Sequence, residues 1–266
     1  MGDLLIIQGL NFKFENKVVF NNFDLTLKKG MWYTLAGPNG SGKTTLIKIM
    51  SGLLTSRGMI KFDSQLLVKS TMKDIRKKIG VVFSNPSNQF IQETVYDEVA
   101  FKLRNINDDE NAVEKKVLEA LRKLKLYKYR ESNPQSLNNS KKQLIVIATM
   151  LVCNPQLLII DEALTKLDKS DKELAIEYIK EFKELTVLNV THNLEDSFLG
   201  DEVIIINNGE IVSKGSLEEV FENEIDINKY GIEIPFAYAL SQRLKFYELV
   251  EKDYREIEEM VDDLWQ

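Results

Sequence analysis

Short apolar runs rich in β-branched residues alternate with longer stretches of helical period along most of the chain, the pattern of an α/β sheet. Strands are predicted at residues 4–7, 24–27, 32–36, 59–62, 80–83, 157–160, 186–190, 202–206 and 210–213, and helices are predicted to begin near Lys43, Thr94, Asn111, Ser140, Ser170 and Leu194. From residue 85 to 153 the pattern changes. No apolar run there reads as a buried strand, and helical periodicity is interrupted only by the polar stretches RNINDDEN and YRESNPQS, so a helical insertion is expected. NNGEIVSKG, residues 207–215, opens on Asn-Gly, a hairpin signal between two short strands. Beyond residue 223 the sequence turns acidic and helical, which predicts a main unit over residues 1–223 and a small helical appendage over residues 224–266.

Composition narrows this picture without deciding it. At 266 residues, 44% apolar and 29% charged, the chain has room for one large α/β unit with an appendage and is ordinary for a globular protein. A net charge of −6 argues against a surface that holds nucleic acid by neutralising phosphates, and the densest basic run, KDIRKK at residues 73–78, reads as a solvated helix face. Cys153 is the single cysteine, which excludes an intramolecular disulfide or a cysteine-based metal cluster and fits a reducing cytoplasm. No apolar run approaches the length of a membrane span, and MGDLLIIQGL lacks the basic flank of a signal peptide, so any membrane role is expected to come through a partner.

The chemistry is concentrated in three places. GPNGSGKT, residues 37–44, matches G-x-x-x-x-G-K-[ST] and stands between a predicted strand and a predicted helix, the setting in which glycines let backbone N–H groups wrap an anion at a helix N-terminus. Here Lys43 is expected to reach the β and γ phosphates of a nucleotide and Thr44 to ligate Mg²⁺. LLIIDE, residues 157–162, is an apolar strand ending in two carboxylates. Asp161 is placed to hold Mg²⁺ through water, and Glu162 to polarise an attacking water. His192, the only histidine, follows the strand TVLNV at the edge where α/β sheets place ligands, and is expected to donate a hydrogen bond to the γ phosphate.

These pieces in this order resemble the ATP-binding-cassette ATPases, from about Leu5 to Glu222. The Walker A loop is residues 37–45, with Asn39, Gly40, Ser41, Gly42, Lys43, Thr44 and Thr45 around the phosphates. Walker B ends at Asp161 and Glu162, the D-loop is TKLD with Asp168, and the switch histidine is His192. The resemblance implies a P-loop NTPase fold: a RecA-like core sheet, an antiparallel β subdomain and a helical subdomain at about residues 85–153. Phe14, ending FKF, matches the position whose ring stacks on adenine, which favours ATP over GTP; ordinary edge-strand packing is its other reading. SNPSNQFIQETVYDEVAF, residues 84–101, and YGIEIPFAYALSQRLK, residues 230–245, resemble the ATPases of energy-coupling-factor importers of vitamins, cobalt or nickel. In that family two cassettes dock on a transmembrane coupling subunit at the cytoplasmic face of the membrane, and a separate membrane subunit captures the substrate. The appendage is implied to help hold the two cassettes together. A basic coupling segment is expected to meet the surface at residues 85–98, where Glu93, Asp97 and Glu98 are acidic; those acids equally fit the charge bias of a helix start.

Two departures stand out. The family signature LSGGQ is LNNSK here, residues 137–141, so both glycines are replaced where backbone N–H groups approach the partner's nucleotide. Asn138 retains an amide donor, Ser140 is small, and Lys141 is expected to add positive charge near the phosphates. Ser84 stands where the Q-loop glutamine follows the strand VVF and would reach Mg²⁺ through a bridging water. The first departure falls on the partner's nucleotide and the second on this chain's own, so a heterodimer with a second, intact cassette is expected over a homodimer. The alternatives are a nucleotide-binding clamp with little hydrolysis, or a soluble cassette outside transport.

Overall fold

The structure is a computed structural model that describes residues 2–106, 109–192, 194–221, 229–230, 232, 234–254 and 257–264. The predicted α/β pattern divides into two sheets. β1 (Asp3–Phe14), β2 (Lys17–Lys28), β4 (Arg57–Phe62) and β5 (Gln65–Leu66) form an antiparallel sheet in the order β2-β1-β4-β5. The second sheet runs β10 (Glu210–Gly215), β9 (Glu202–Asn207), β3 (Trp32–Ala36), β8 (Thr186–Thr191), β7 (Leu157–Asp161), β6 (Ile79–Val82); its pairs are parallel from β9 to β6, and β10 closes it antiparallel. β3, β7 and β8 are buried at every position, so they read as mostly apolar runs without strict alternation.

The first two strands are longer than predicted. Gln8, Gly9 and Asn11 broke the apolar pattern, but β1 continues through them by shifting register between Ile7 and Leu10, with Gly9 at φ 59°. The predicted helices start close to where they were placed, at α1 (Lys43–Met50), α3 (Val95–Arg104), α4 (Glu110–Lys123), α5 (Asn139–Leu151) and α6 (Lys169–Lys180). The helix expected at Leu194 is a 3₁₀ turn over Leu194–Leu199, and α7 (Leu217–Phe221) was missed. KDIRKK lies in α2 (Met72–Lys78), where only Ile75 is buried, the solvated face expected of it. Between residues 85 and 153 the described residues contain helices and turns and no strand.

Each face of the parallel sheet has its own core. Tyr33, Leu35, Ile159 and Leu188 meet Leu46, Ile47 and Met50 of α1 and the inner face of the antiparallel sheet. Trp32, Leu158, Ile160 and Val187 meet α5 and α6, and α5 in turn packs on α3 and α4 through Leu144, Ile147 and Ala148. α5 is buried nearly all round, and its N-terminal turn is tied to α6 through Ser140. The predicted start of the appendage, residue 224, lies outside the described residues, as do Gly231 and Glu233 of the 230–245 stretch. Its described part holds α8 (Phe236–Phe246) and α9 (Ile257–Leu264), bridged by Tyr254, whose amide donates to the Ser241 hydroxyl at 2.9 Å and whose hydroxyl donates to Asp263 Oδ2 at 3.0 Å.

Candidate functional site

The phosphate loop grows out of β3. Five buried residues carry the chain to the sheet's carboxyl edge, residues 37–42 turn it, and α1 starts at Lys43. Two glycines are required by contact. A Cβ at Gly37 would lie 2.1 Å from the Ile206 carbonyl oxygen, and one at Gly42, which caps α1 at φ 112°, would lie 2.9 Å from the Phe20 ring. Asn39 and Gly40 are exposed at the rim, as is Thr44, and Thr45 is half-buried. The loop is braced from behind by the β9–β10 turn, where the Gly209 amide donates to the Ser41 carbonyl at 3.0 Å. Asn208 and Gly209 both take positive φ, the hairpin geometry that Asn-Gly signals.

Two observations fit this loop to an anion. The Lys43 ammonium is folded back on the loop, donating to the Gly37 and Pro38 carbonyls at 2.6 and 3.0 Å. Burial pulls it below its ordinary 10.5, while Glu162 and Asp161 pull it back up. The Ser41 hydroxyl is buried within the loop with no protein partner.

The acids come from β7. Asp161 ends the strand, 7% exposed; burial foremost, then the Glu162 carboxylate, push its carboxyl up to about 6 against the pull of Lys43 and Lys48. Glu162 follows in a left-handed conformation, φ 57°, with its amide donating to the Val190 carbonyl at 2.8 Å. Non-glycine residues hold such angles only where surrounding structure imposes them. The turn aims Glu162 across to β8, where His192 Nδ1 lies 2.6 Å from Glu162 Oε2. Lys43, Asp161, Glu162 and His192 thus gather at the carboxyl edge of three adjacent parallel strands.

Phe14 ends β1, and Ser84 follows β6, the strand paired with β7. Phe14 closes the β1–β2 hairpin, 48% exposed, with its ring edge-on to Phe12 at 4.9 Å. Ser84 is exposed beyond β6, where Gln89, Gln143 and Lys142 make contacts that the sequence alone did not predict. Gln89 returns to that strand, its carbonyl oxygen accepting from the Phe83 amide at 3.1 Å and its nitrogen donating to the Val81 carbonyl at 3.3 Å. Gln143 of α5 donates to the Phe83 carbonyl at 3.0 Å, and Lys142 to the Ser87 hydroxyl at 3.1 Å.

In the signature loop, Asn138 caps α5 by accepting from the Lys141 amide at 2.8 Å. The Ser140 and Lys141 side chains are engaged within the chain. Ser140 is turned inward, 4% exposed, and donates to Asp171 Oδ2 at 2.6 Å. Lys141 Nζ lies 2.7 Å from Asp171 Oδ1, so its charge is matched by that buried carboxylate. Of the acids at residues 93–98, Glu98 is buried and accepts from the Ile91 and Gln92 amides at 2.8 Å each, and Asp97 joins Thr94 in capping α3 while pairing with Arg104 at 3.1 Å. Glu93 is exposed.

Comparison with known proteins identifies the family. The family described as ABC transporter matches residues 20–165. The energy-coupling factor transporter ATP-binding protein EcfA1 of Mesomycoplasma hyopneumoniae (strain 7448) is 35% identical over 270 residues, covering 99% of this chain and 98% of that protein. EcfA1 of Ligilactobacillus salivarius (strain UCC118) is 36% identical over 273 residues, covering 100% of this chain and 96% of that one. Among solved structures, cbiO1 of Clostridium perfringens, described as part of the ABC transporter complex cbiONQ, superposes with a TM-score of 0.77 at 25% identity, over 91% of this chain and all of that one. The chain belongs to the ABC transporter ATPases, among the ATP-binding proteins of energy-coupling factor transporters.

Proposed function

We propose that this chain is one half of a heterodimeric cassette pair that hydrolyses ATP to drive a micronutrient importer, of the class taking up vitamins, cobalt or nickel. The observation that carries this reading is the gathering of Lys43, Asp161, Glu162 and His192 at this chain's own phosphate loop, together with a signature loop whose Ser140 and Lys141 are directed at Asp171. The first set serves a nucleotide bound here. The second leaves a nucleotide on the partner with fewer donors.

In this reading Lys43 leaves the Gly37 and Pro38 carbonyls for the β and γ phosphates, and Ser41, Gly42 and Thr45 line the cradle, with Asn39 and Gly40 at its rim. Thr44 and Asp161 hold Mg²⁺, with Ser84 reaching it through a water; when bound, the ion supplies charge neutralisation on the phosphate oxygens. Phe14 stacks on the adenine. Glu162 orients and deprotonates the attacking water, and His192, already bonded to Glu162, fixes that carboxylate before turning to the γ phosphate. The second cassette contributes the intact signature loop. Asn138, with the amides that start α5, touches the partner's nucleotide. The main unit is residues 1–223. The appendage from residue 224 helps join the cassettes through exposed apolar residues such as Phe236, Phe246 and Leu249. The pair sits at the cytoplasmic membrane face on a transmembrane coupling subunit beside a substrate-capture subunit.

The test is the solution mass of the Glu162→Gln chain, alone, with and without ATP and Mg²⁺, by light scattering. A monomer that binds ATP supports the heterodimer. An ATP-driven dimer of this chain with itself overturns it.

A further inference from the structure

The altered signature loop carries more built structure than a loop that has only lost its glycines. Asp171 is 3% exposed in the first turn of α6, and both of its carboxylate oxygens are engaged by that loop: Oδ2 by the Ser140 hydroxyl at 2.6 Å and Oδ1 by Lys141 Nζ at 2.7 Å. The Ser140 hydroxyl also accepts from the Asp168 amide at 3.1 Å, so one side chain bonds α6 at its cap and at its first turn. A buried carboxylate needs its partners close by, and here they are the two residues that replace Gly and Gln of the family pattern. On its other flank α5 is tied through Gln143 and Lys142 to the Phe83–Ser87 segment.

We infer that Asp171 is a positioning residue that locks residues 137–141 to the D-loop at Asp168, so that the two segments expected to meet a second cassette move as one body. This rests on the cassette-pair reading above. Glycines let a signature loop adjust to a nucleotide. Here three charge-assisted or buried hydrogen bonds hold the loop in one arrangement instead, with exposed Asn138 and Asn139 facing outward.

The experiment has two parts. Residue-resolved hydrogen exchange on the full-length chain compares native protein, Asp171→Ala and Asp171→Asn. In Asp171→Ala the Asp168 amide should exchange at least about tenfold faster, and the amides of residues 139–141 should accelerate by a similar factor. Asp171→Asn keeps an acceptor for Ser140 and should fall between. In a Ser140→Gly/Lys141→Gln background, Asp171→Ala should change exchange at Asp168 by less than about twofold, a dependence that a general loss of stability does not produce. Acceleration confined to residues 168–172 overturns the lock.

The second part measures turnover of the complex purified through a tag on this chain. Asp171→Ala should lower turnover at saturating ATP about fivefold or more in the native background, and much less in the Ser140→Gly/Lys141→Gln background. Equal losses in both backgrounds, or no loss, overturn the positioning role. A complex that contains no second cassette overturns the cassette-pair reading, while the exchange data still decide the lock.

Discussion

Replacing Asp161 with Asn should make the nucleotide-free chain more stable at neutral and alkaline pH while weakening its response to ATP and Mg²⁺. Burial, followed by repulsion from Glu162, pushes the Asp161 carboxyl up to about 6, whereas in an unfolded chain it titrates near its ordinary value of about 3.9. Between those two values the folded state binds more protons than the unfolded one. Stability therefore falls as pH rises from about 4 to 6, and above about 6 the full penalty of the buried charge is present. Two decades of acidity correspond to about 3 kcal/mol as an upper bound at about 1.4 kcal/mol per decade. Because the carboxylate keeps some exposure, about 1–2 kcal/mol is the expected cost after solvent screening. Asn keeps the shape without the charge. It forfeits a little at Lys43, whose ammonium loses one of the two carboxylates that support it. For a chain of this size the net gain corresponds to roughly 2–5 °C in Tm. Calorimetry without nucleotide at pH 8, 6 and 4.5 reads it directly. The gain should be largest at pH 8 and shrink toward zero at the acid end, and adding ATP with Mg²⁺ should raise the native Tm more than that of the variant. A gain of equal size at all three values would show that the substitution acts through packing, and no gain at pH 8 would refute the buried-charge cost.

Three further perturbations probe the elements that position the site. Glu162→Gln should trap ATP and lower turnover by about 10²-fold or more in a purified complex, and unchanged turnover removes Glu162 from its assigned role. Gly209→Ala places a Cβ 1.8 Å from the Val19 carbonyl oxygen at a φ of 78°, so it should destabilise the chain by about 3 kcal/mol or more and weaken ATP binding through the lost brace on Ser41, read by urea midpoint and nucleotide titration. Leu144→Ala hollows the fully buried side of α5 and should cost about 2–5 kcal/mol in a urea titration; a midpoint shift under 1 kcal/mol would mean that the helical layer collapses around the gap.

The parts of this fold that were legible share one property: each is written in contiguous residues. Strands buried on both faces are mostly apolar and do not alternate, so β3, β7 and β8 announced themselves, and the phosphate loop is a local motif between a strand and a helix. β1 was cut short because its register shifts at Gly9, and a bulge looks like a break when only alternation is read. The turn over Leu194–Leu199 has a helical pattern too short to settle between 3₁₀ and α geometry. The Asn-Gly hairpin was legible as a turn, but its contact with Ser41 was not, because that contact joins residues far apart in sequence.

The same limit explains the signature loop. Read along the chain, LNNSK is a list of losses: two glycines replaced, a glutamine exchanged for lysine, and a new positive charge without an assigned partner. Its explanation lies 31 residues away, at a position in α6 that carries no motif of its own. Asp171 looks like one more acid in the first turn of a helix, where acids are common for dipole reasons alone. Once folded, its burial makes it dependent on Ser140 and Lys141, and they on it. Removing any one of the three leaves a buried charge or hydroxyl short of a partner, whereas removing all three together leaves none, and returns the second Gly and the Gln of the family pattern. The substitutions are therefore coupled, and a change of Lys141 back to Gln alone should impair the chain more than the same change made together with Ser140→Gly and Asp171→Ala. Melting temperature and turnover of the two variants side by side decide it: if the single reversion is the milder one, the three residues are independent and the loop is damaged rather than rebuilt.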